Sequence, residues 1–125
     1  MSGNKYILDT NAVIYLLNGD KQFSSMLSTA RWIGISIISY VEFLAFENIS
    51  DNDKSLFDEF LKKINTVNIS IENEDIINKI IDIRRKYSLK LPDSIIASTA
   101  YVNNAILITW DQKFRQVNEI EIYPE

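Results

Sequence analysis

Residues 6–14 have the sequence Tyr6-Ile7-Leu8-Asp9-Thr10-Asn11-Ala12-Val13-Ile14, in which a short apolar run stops at a polar triplet and an apolar helical pattern follows. The apolar run is typical of a buried strand, and the segment from Ala12 to Leu17 predicts a helix that ends at Asn18 and Gly19. Asp9 therefore lies just beyond the carboxyl end of the predicted strand. A strand, a turn and a helix in this order are typical of α/β folds.

Strand-like and helix-like segments alternate along the rest of the chain. The β-branched run from Trp32 to Ile38 predicts a second strand, and Ser39 is predicted to open the helix that follows. Further helices are predicted from Asp20 to residue 30 and at 50–64, 72–87 and about 93–103, and further strands at 66–69, 106–109 and near 121–123. This alternation favours an α/β fold with a parallel β-sheet of about four or five strands flanked by helices on both faces.

The composition limits the chemistry that the chain can perform. It has no Cys and no His, which excludes disulfides, thiolate zinc sites, cysteine nucleophiles and serine triads that depend on His. A length of 125 residues suits one hydrophobic core, so we expect a single domain over residues 1–125. The absence of a signal-like N-terminus and of a long apolar run predicts a cytoplasmic protein without membrane contact. A net charge of −4 argues against a coat protein that binds nucleic acid through a broadly basic surface.

Four acidic residues are predicted to meet at one edge of the sheet. Asp9 and Asp111 follow predicted strands, Glu42 lies in a helix that follows another strand, and Asp93 begins a helix. Because ligands of parallel α/β sheets bind outside the carboxyl ends of the strands, these side chains can converge there. Two such charges about 4 Å apart repel by roughly 1 kcal/mol in water and about 4 kcal/mol at an effective dielectric near 20, so the cluster needs a counter-charge. A set of oxygen ligands favours Mg²⁺ or Mn²⁺, which can activate water for attack on phosphorus.

Each of these acids also has a purely structural explanation. Asp9 fits an N-cap of the first helix, and Glu42 fits a capping box that begins at Ser39. Asp93 follows a proline at a helix start, where a negative charge suits the helix dipole, and Asp111 fits a turn. No single acid establishes a catalytic site, whereas their joint arrangement predicts one.

Four segments of the sequence resemble, in order, the successive motifs of PIN-domain nucleases. They are residues 6–14, Ile38-Ser-Tyr-Val-Glu-Phe-Leu44, Leu91-Pro-Asp-Ser-Ile-Ile-Ala97 and Leu107-Ile-Thr-Trp-Asp111. The resemblance is greatest to VapC-type toxins of bacterial and archaeal toxin–antitoxin pairs, and it extends to about residue 114. Four motifs in the expected order are far more specific than any one of them.

The resemblance implies a Mg²⁺- or Mn²⁺-dependent endoribonuclease that cleaves cellular RNA and arrests translation. The residues at its catalytic and metal-binding positions are Asp9, Glu42, Asp93 and Asp111. Asn11 and Thr109 are implied as accessory polar residues that hold a ligand or a water molecule. The resemblance also implies a cognate antitoxin protein as a partner and assembly into a homodimer.

The fourth motif departs from the pattern of the family. Trp110 stands where a polar or basic residue is common, and Lys113 stands where many relatives have an acid. Asp111 is then the one candidate for a fourth carboxylate, and we expect one metal ion rather than two. Trp110 either stacks on a base of single-stranded RNA or packs as a strand-end residue. Lys113 and Arg115 are predicted to contact RNA, whereas the basic run at 84–90 fits a solvated helix face.

Other functions stay open on the sequence. A catalytically degenerate PIN-like module would keep the fold and bind RNA or protein without cleaving RNA. A phosphoacceptor receiver-type domain shares the length and the alternation, but it needs an acidic pair after the first strand, and this chain has Asp9 and Asn11 there. The same Asn11 disfavours phosphatases that use an Asp-x-Asp pair.

Overall fold

The strands and helices alternate as the sequence predicts. The computed structural model describes residues 3–19 and 21–124, and within them the chain forms five strands, six α-helices and one short 3-10 helix. The strands are β1 (Lys5–Leu8), β2 (Trp32–Ser36), β3 (Asn65–Val67), β4 (Ile106–Ile108) and β5 (Ile122–Tyr123). The helices are α1 (Thr10–Leu17), α2 (Lys21–Ser28), α3 (Ile37–Leu44), α4 (Asp51–Leu61), α5 (Glu74–Tyr87) and α6 (Leu91–Val102), and the 3-10 helix is Gln112–Gln116.

The strands form one parallel sheet with the order β3-β2-β1-β4-β5 in the described part of the chain. β1 is central, and its Ile7 is in register with Gly34 of β2 and Leu107 of β4. The chain moves outward from β1 through β2 to β3 and then crosses to β4 on the other side. The carboxyl ends of β1 and β4 therefore form a topological switch point, which is where open α/β sheets bind their ligands. The predicted parallel sheet is confirmed.

Separate hydrophobic cores cover the two faces of the sheet. Tyr6 and Leu8 of β1 belong to a core that includes Phe57 of α4, whereas Ile7 belongs to a core that includes Ile83 of α5. Ile7 and Leu8 are both fully buried. Because neighbouring residues of a strand point to opposite faces, a strand buried on both sides has the continuous apolar sequence seen here. The predicted cover of helices on both faces is confirmed.

Helix α3 begins earlier than the sequence predicts. β2 ends at Ser36 and the helix starts at Ile37, so the predicted strand end at Ile38 and the predicted helix start at Ser39 are wrong. Ser36 is the N-cap, and its Oγ accepts a hydrogen bond from the Ile38 N–H at 3.1 Å. Ser39 is buried within the helix, and its Oγ has no hydrogen-bond partner among the described residues. The β-branched residues 37 and 38 suit a strand, but tertiary packing places them in the first turn of the helix.

The other elements agree with the sequence to within a few residues. The predicted start of α2 at Asp20 lies outside the described residues, and the helix is described from Lys21. α6 begins at Leu91 rather than at Asp93, because Pro92 is well suited to the first turn of a helix. Over residues 3–19 and 21–124, the structure has no helix with the length and apolar character needed to cross a membrane.

Candidate active site

Asp9 is a helix cap and a buried carboxylate at the same time. Its Oδ1 accepts a hydrogen bond from the Ala12 N–H at 2.8 Å, and its Oδ2 accepts one from the Thr109 hydroxyl just after β4. Only 5% of the residue is exposed. Burial raises the pKa of this carboxyl, the two hydrogen bonds oppose the rise, and the nearby charges of Asp111 and Glu42 add to it. The structural and the functional explanations of Asp9 are therefore compatible, because the cap orients the carboxylate at the edge of the sheet.

Glu42 is held from another element rather than from its own helix. Its Oε1 accepts a hydrogen bond from the Thr10 hydroxyl at 2.7 Å. The predicted capping box with Ser39 is wrong, because the helix begins at Ile37 and Ser36 is its cap. Thr10 follows Asp9 directly, so this bond ties α3 to the carboxyl end of β1. Sequence analysis did not single out Thr10, although its place beside Asp9 in the first motif was the available signal.

Asp93 and Asp111 are bridged by Lys113. The Lys113 Nζ lies 3.0 Å from Asp93 Oδ2 and 3.1 Å from Asp111 Oδ2. Asp93 lies in the first turn of α6, and Asp111 is the N-cap of the 3-10 helix, where its Oδ1 accepts from the Lys113 N–H at 3.1 Å. The hydrogen bond to Asp93 raises the pKa of Lys113, burial opposes the rise, and Asp111 adds to it. The structure thus places Lys113, which was predicted as an RNA contact, against the acids.

One cavity of about 360 Å³ collects these side chains at the carboxyl edge of the sheet. Its polar lining residues are Asp9, Thr10, Asn11, Glu42, Asp93, Asp111 and Lys113. Thr109 is fully buried and acts on the cavity through its bond to Asp9. The structure therefore brings together all four predicted acids, with Asn11 in the same lining and Thr109 in contact with one of them.

A larger cavity of about 730 Å³ lies at α5, the end of α6 and the segment before β5. Its main cation, Lys79, lies 3.3 Å from Asp82 and 3.8 Å from Glu119 and stands over the ring of Tyr101 at 4.0 Å. Both cavities are lined by four acids and one lysine. The smaller cavity is the better candidate for chemistry because it lies at the carboxyl ends of β1 and β4, where open α/β sheets bind their ligands.

Trp110 and Arg115 contact other parts of the molecule. Trp110 is 39% exposed, and its ring centroid lies 4.6 Å from that of Tyr15 and 5.7 Å from that of Phe23. It is therefore neither a core residue nor a free surface side chain. Arg115 donates a hydrogen bond to the carbonyl oxygen of Pro124 at 2.7 Å, which directs its guanidinium to the C-terminal segment.

The donors of the cavity suit a hard divalent cation in their chemistry. Carboxylate and amide oxygens are the ligands that Mg²⁺ and Mn²⁺ prefer, and burial, together with the nearby charges of Asp111 and Glu42, raises the pKa of Asp9. Among the described residues, however, no three acidic side chains lie close enough to hold one ion as they stand. Lys113 lies between Asp93 and Asp111, so an ion that binds between these two acids has to displace its ammonium.

Comparison with solved structures finds chains of the same fold. A chain of a toxin–antitoxin complex from Klebsiella pneumoniae is 28% identical, with a TM-score of 0.74 over 92% of this chain and 94% of that chain. A chain of VapBC2 from Rickettsia felis, bound to a DNA fragment from the VapBC2 promoter, is 21% identical. Its TM-score is 0.80, over 94% of this chain and 96% of that chain. A chain of VapBC-1 from nontypeable Haemophilus influenzae is 23% identical, with a TM-score of 0.75 over 94% of this chain and 96% of that chain.

Comparison of sequences gives the family. A search among curated proteins finds no match. The profile of the PIN domain, in contrast, matches residues 6–120, which include all four acids and the carboxyl ends of both strands of the switch point. Since this match covers nearly the whole chain, the protein belongs to the PIN domain family.

Proposed function

We propose that this protein is a metal-dependent endoribonuclease and the VapC-type toxin of a toxin–antitoxin pair. The observation that supports the proposal most is the convergence of Asp9, Glu42, Asp93 and Asp111 on one cavity. The chain has no His or Cys to serve as a general base or a nucleophile, so carboxylates must carry most of the chemistry. The membership of the PIN domain family and the similarity to toxin–antitoxin structures point to the same function.

The proposed chemistry is hydrolysis of a phosphodiester bond. A Mg²⁺ or Mn²⁺ ion bound by the acids would lower the pKa of a water molecule and neutralise charge on the phosphate. Asp9 would offer a carboxylate already oriented by Ala12 and Thr109, and Glu42 one oriented by Thr10. Hydrogen bonds of this kind orient a ligand and limit the rearrangement that it needs when an ion binds.

The remaining polar groups would hold the RNA backbone. The Asn11 side chain lines the cavity and can donate from its amide nitrogen to a phosphate oxygen. The Lys113 ammonium can attract the same group by its charge. RNA is therefore the substrate that we propose, and the cytoplasm is the compartment in which we expect the protein to meet it.

An antitoxin protein and a second copy of this chain are the partners that we propose. The solved structures named above are toxin–antitoxin complexes. In this chain, a partly apolar cavity of about 190 Å³ adjoins the acidic one, and Phe46 lines both. We expect an antitoxin segment to cover both cavities and thereby to block access of RNA to the acids.

The experiment that tests the proposal compares RNA cleavage by the antitoxin-free protein and by two variants. With Mn²⁺ present, we expect wild type to cleave total RNA, and we expect EDTA to abolish cleavage. Asp93→Asn should lower the rate by at least about a hundredfold, since even groups that only support metal ligands contribute up to that factor. Asp58→Asn, which changes an exposed acid on α4, is the matched control and should leave the rate unchanged.

The outcome distinguishes the proposal from its alternatives. If Asp93→Asn and Asp9→Asn both cleave at the wild-type rate, the proposed mechanism is wrong. Intact RNA with correctly folded wild type and Mn²⁺ would favour a degenerate binding module. If wild type does cleave RNA, sequencing of RNA ends after brief induction of wild type and Asp93→Asn would identify the RNA that is cut.

A further inference from the structure

The Lys113 ammonium lies at the position where a cation is needed. It is 3.0 Å from one carboxylate oxygen of Asp93 and 3.1 Å from one of Asp111. These two acids come from α6 and from the segment after β4, and the structure gives them no other cationic side chain among the described residues. A single positive charge thus offsets part of the negative charge of these two carboxylates.

The backbone around Lys113 determines where its ammonium can reach. Asp111 caps the 3-10 helix by accepting from the Lys113 N–H at 3.1 Å. The next residue, Phe114, is 2% exposed and belongs to the core that covers one face of the sheet. Lys113 is therefore held between a cap and a core anchor, and its side chain is directed towards Asp93. A lysine on a freely solvated helix would lack this constraint.

We infer that Lys113 is a tethered cation that takes the place of a second divalent ion between Asp93 and Asp111, so that the cavity binds one divalent ion. The inference deepens the proposed function and rests on it for the identity of the ion. Lys113 acts here through the charges of Asp93 and Asp111, and we therefore regard it as a residue that sets the metal content of the site.

Electrostatics supports this assignment. An ammonium in contact with two carboxylates cancels part of the charge that would attract an ion, and it also repels any divalent ion that enters the same space. Removing the ammonium leaves two carboxylates, each with an oxygen within 3.1 Å of the vacated Nζ position, with no counter-charge. Such a pair of oxygen ligands is what a hard divalent cation prefers.

The experiment measures the number of Mn²⁺ ions bound to the folded, RNA-free protein, by isothermal titration calorimetry and by electron paramagnetic resonance of unbound Mn²⁺. We expect one ion for wild type and two for Lys113→Met, which keeps most of the side-chain volume and removes the charge. Lys113→Arg retains a cation and should bind one ion. Lys62→Met is the matched control, because Lys62 pairs with Glu59 on the exposed surface of α4, and it should also bind one ion.

A second variant and a second measurement keep the test decisive. Lys113→Gln should behave like Lys113→Met, and circular dichroism should show that both are folded. Mn²⁺ should raise the unfolding temperature of both variants by more than it raises that of wild type. The rise should begin at an Mn²⁺ concentration about tenfold lower than for wild type. The inference is overturned if wild type binds two ions, or if folded Lys113→Met and Lys113→Gln bind the same number of ions as wild type.

The inference and the proposed function can fail separately. If wild type cleaves RNA with Mn²⁺ but the neutral variants gain no ion, the inference is wrong and the proposed function stands. If the neutral variants gain an ion but wild type leaves RNA intact, the inference stands and the proposed function is wrong.

Discussion

The Thr109 hydroxyl donates a hydrogen bond to Oδ2 of Asp9, and this bond joins two residues that are 100 positions apart in the chain. Both residues lie at the carboxyl ends of neighbouring parallel strands, where the Asp9 N–H also donates to the carbonyl oxygen of Ile108 at 3.1 Å. Both are buried. The bond therefore links the first and the fourth sequence motifs directly at the candidate active site.

Replacement of Thr109 by Val should reveal the contribution of this bond. Val has a similar shape but no donor, so one oxygen of a buried carboxylate loses a partner. We expect the free energy of unfolding to fall by about 1–3 kcal/mol. Thr109→Ser keeps the hydroxyl and should retain most of the stability. Urea unfolding of both variants at neutral pH in EDTA measures the difference, and equal losses in the two variants would contradict the prediction.

Removal of the Asp9 charge should change how stability depends on pH. Burial raises the pKa of Asp9 above its ordinary value of 3.8, so the native carboxyl keeps its proton at pH values where the unfolded carboxyl has lost it. The native state then binds more protons than the unfolded state, and the free energy of unfolding falls as pH rises from 3.8 through the raised native pKa. The Asp9→Asn variant has no titrating group at this position, so its free energy of unfolding does not fall with pH for this reason.

Urea unfolding in EDTA between about pH 4 and pH 8 measures this dependence for wild type and Asp9→Asn. We expect the variant to gain stability relative to wild type as pH rises and to reach a constant difference above the native pKa of Asp9. Asp58→Asn, at an exposed position, is the control and should show no such trend. A gain of wild type over Asp9→Asn with rising pH would show that the native pKa is lowered instead.

Two serines near the start of α3 should differ sharply in their effect on stability. Ser36 is the N-cap, and Ser36→Ala should lower the free energy of unfolding by about 0.5–2 kcal/mol. Ser39 has a buried hydroxyl without a hydrogen-bond partner in the described part of the chain, so Ser39→Ala should cause no loss. Thermal unfolding of the two variants makes the comparison. A larger loss for Ser39→Ala would favour a cap at Ser39.

Trp110 should contribute to RNA binding through its exposed face. It packs on Tyr15 with 39% of its surface exposed, and it adjoins Asp111 of the acidic cavity. In an inactive Asp93→Asn background, Trp110→Ala should weaken binding of single-stranded RNA by about 1–3 kcal/mol, the range for stacking of one base. Trp110→Phe should lose less, because it keeps an aromatic face.

Fluorescence gives an independent measurement of the same contact. The chain has 2 Trp residues, so Trp32→Phe leaves Trp110 as the sole tryptophan. Trp32 begins β2 at the amino ends of the strands, whereas the acidic cavity lies at their carboxyl ends, and the Trp32 ring contacts Lys5. Trp32→Phe is therefore a suitable control for RNA affinity. Binding of RNA should quench the remaining emission. Unchanged emission and unchanged affinity of Trp110→Ala would assign Trp110 to packing alone.

Sequence patterns predict the fold, and they select four acids that the structure places around one cavity. The alternation of β1 and α1 depends on apolar periodicity and on turn residues, which are local properties of the chain. They failed at the start of α3, where Ile37 and Ile38 suit a strand but pack as a helix. They also failed for Glu42, because the spacing of Ser39 and Glu42 imitates a capping box while tertiary contacts bring Thr10 to the carboxylate.

The amino-acid sequence alone specifies the order of strands and helices, the absence of His and Cys, and the places of Asp9, Glu42, Asp93 and Asp111 in the motifs. The tertiary structure brings particular atoms into contact. It pairs Thr10 with Glu42 across 32 positions and places Lys113 between Asp93 and Asp111. These contacts depend on how α3, α6 and the segment after β4 pack at the carboxyl edge of the sheet. Local sequence does not specify that packing, because it results from burial of side chains that are distant in the chain.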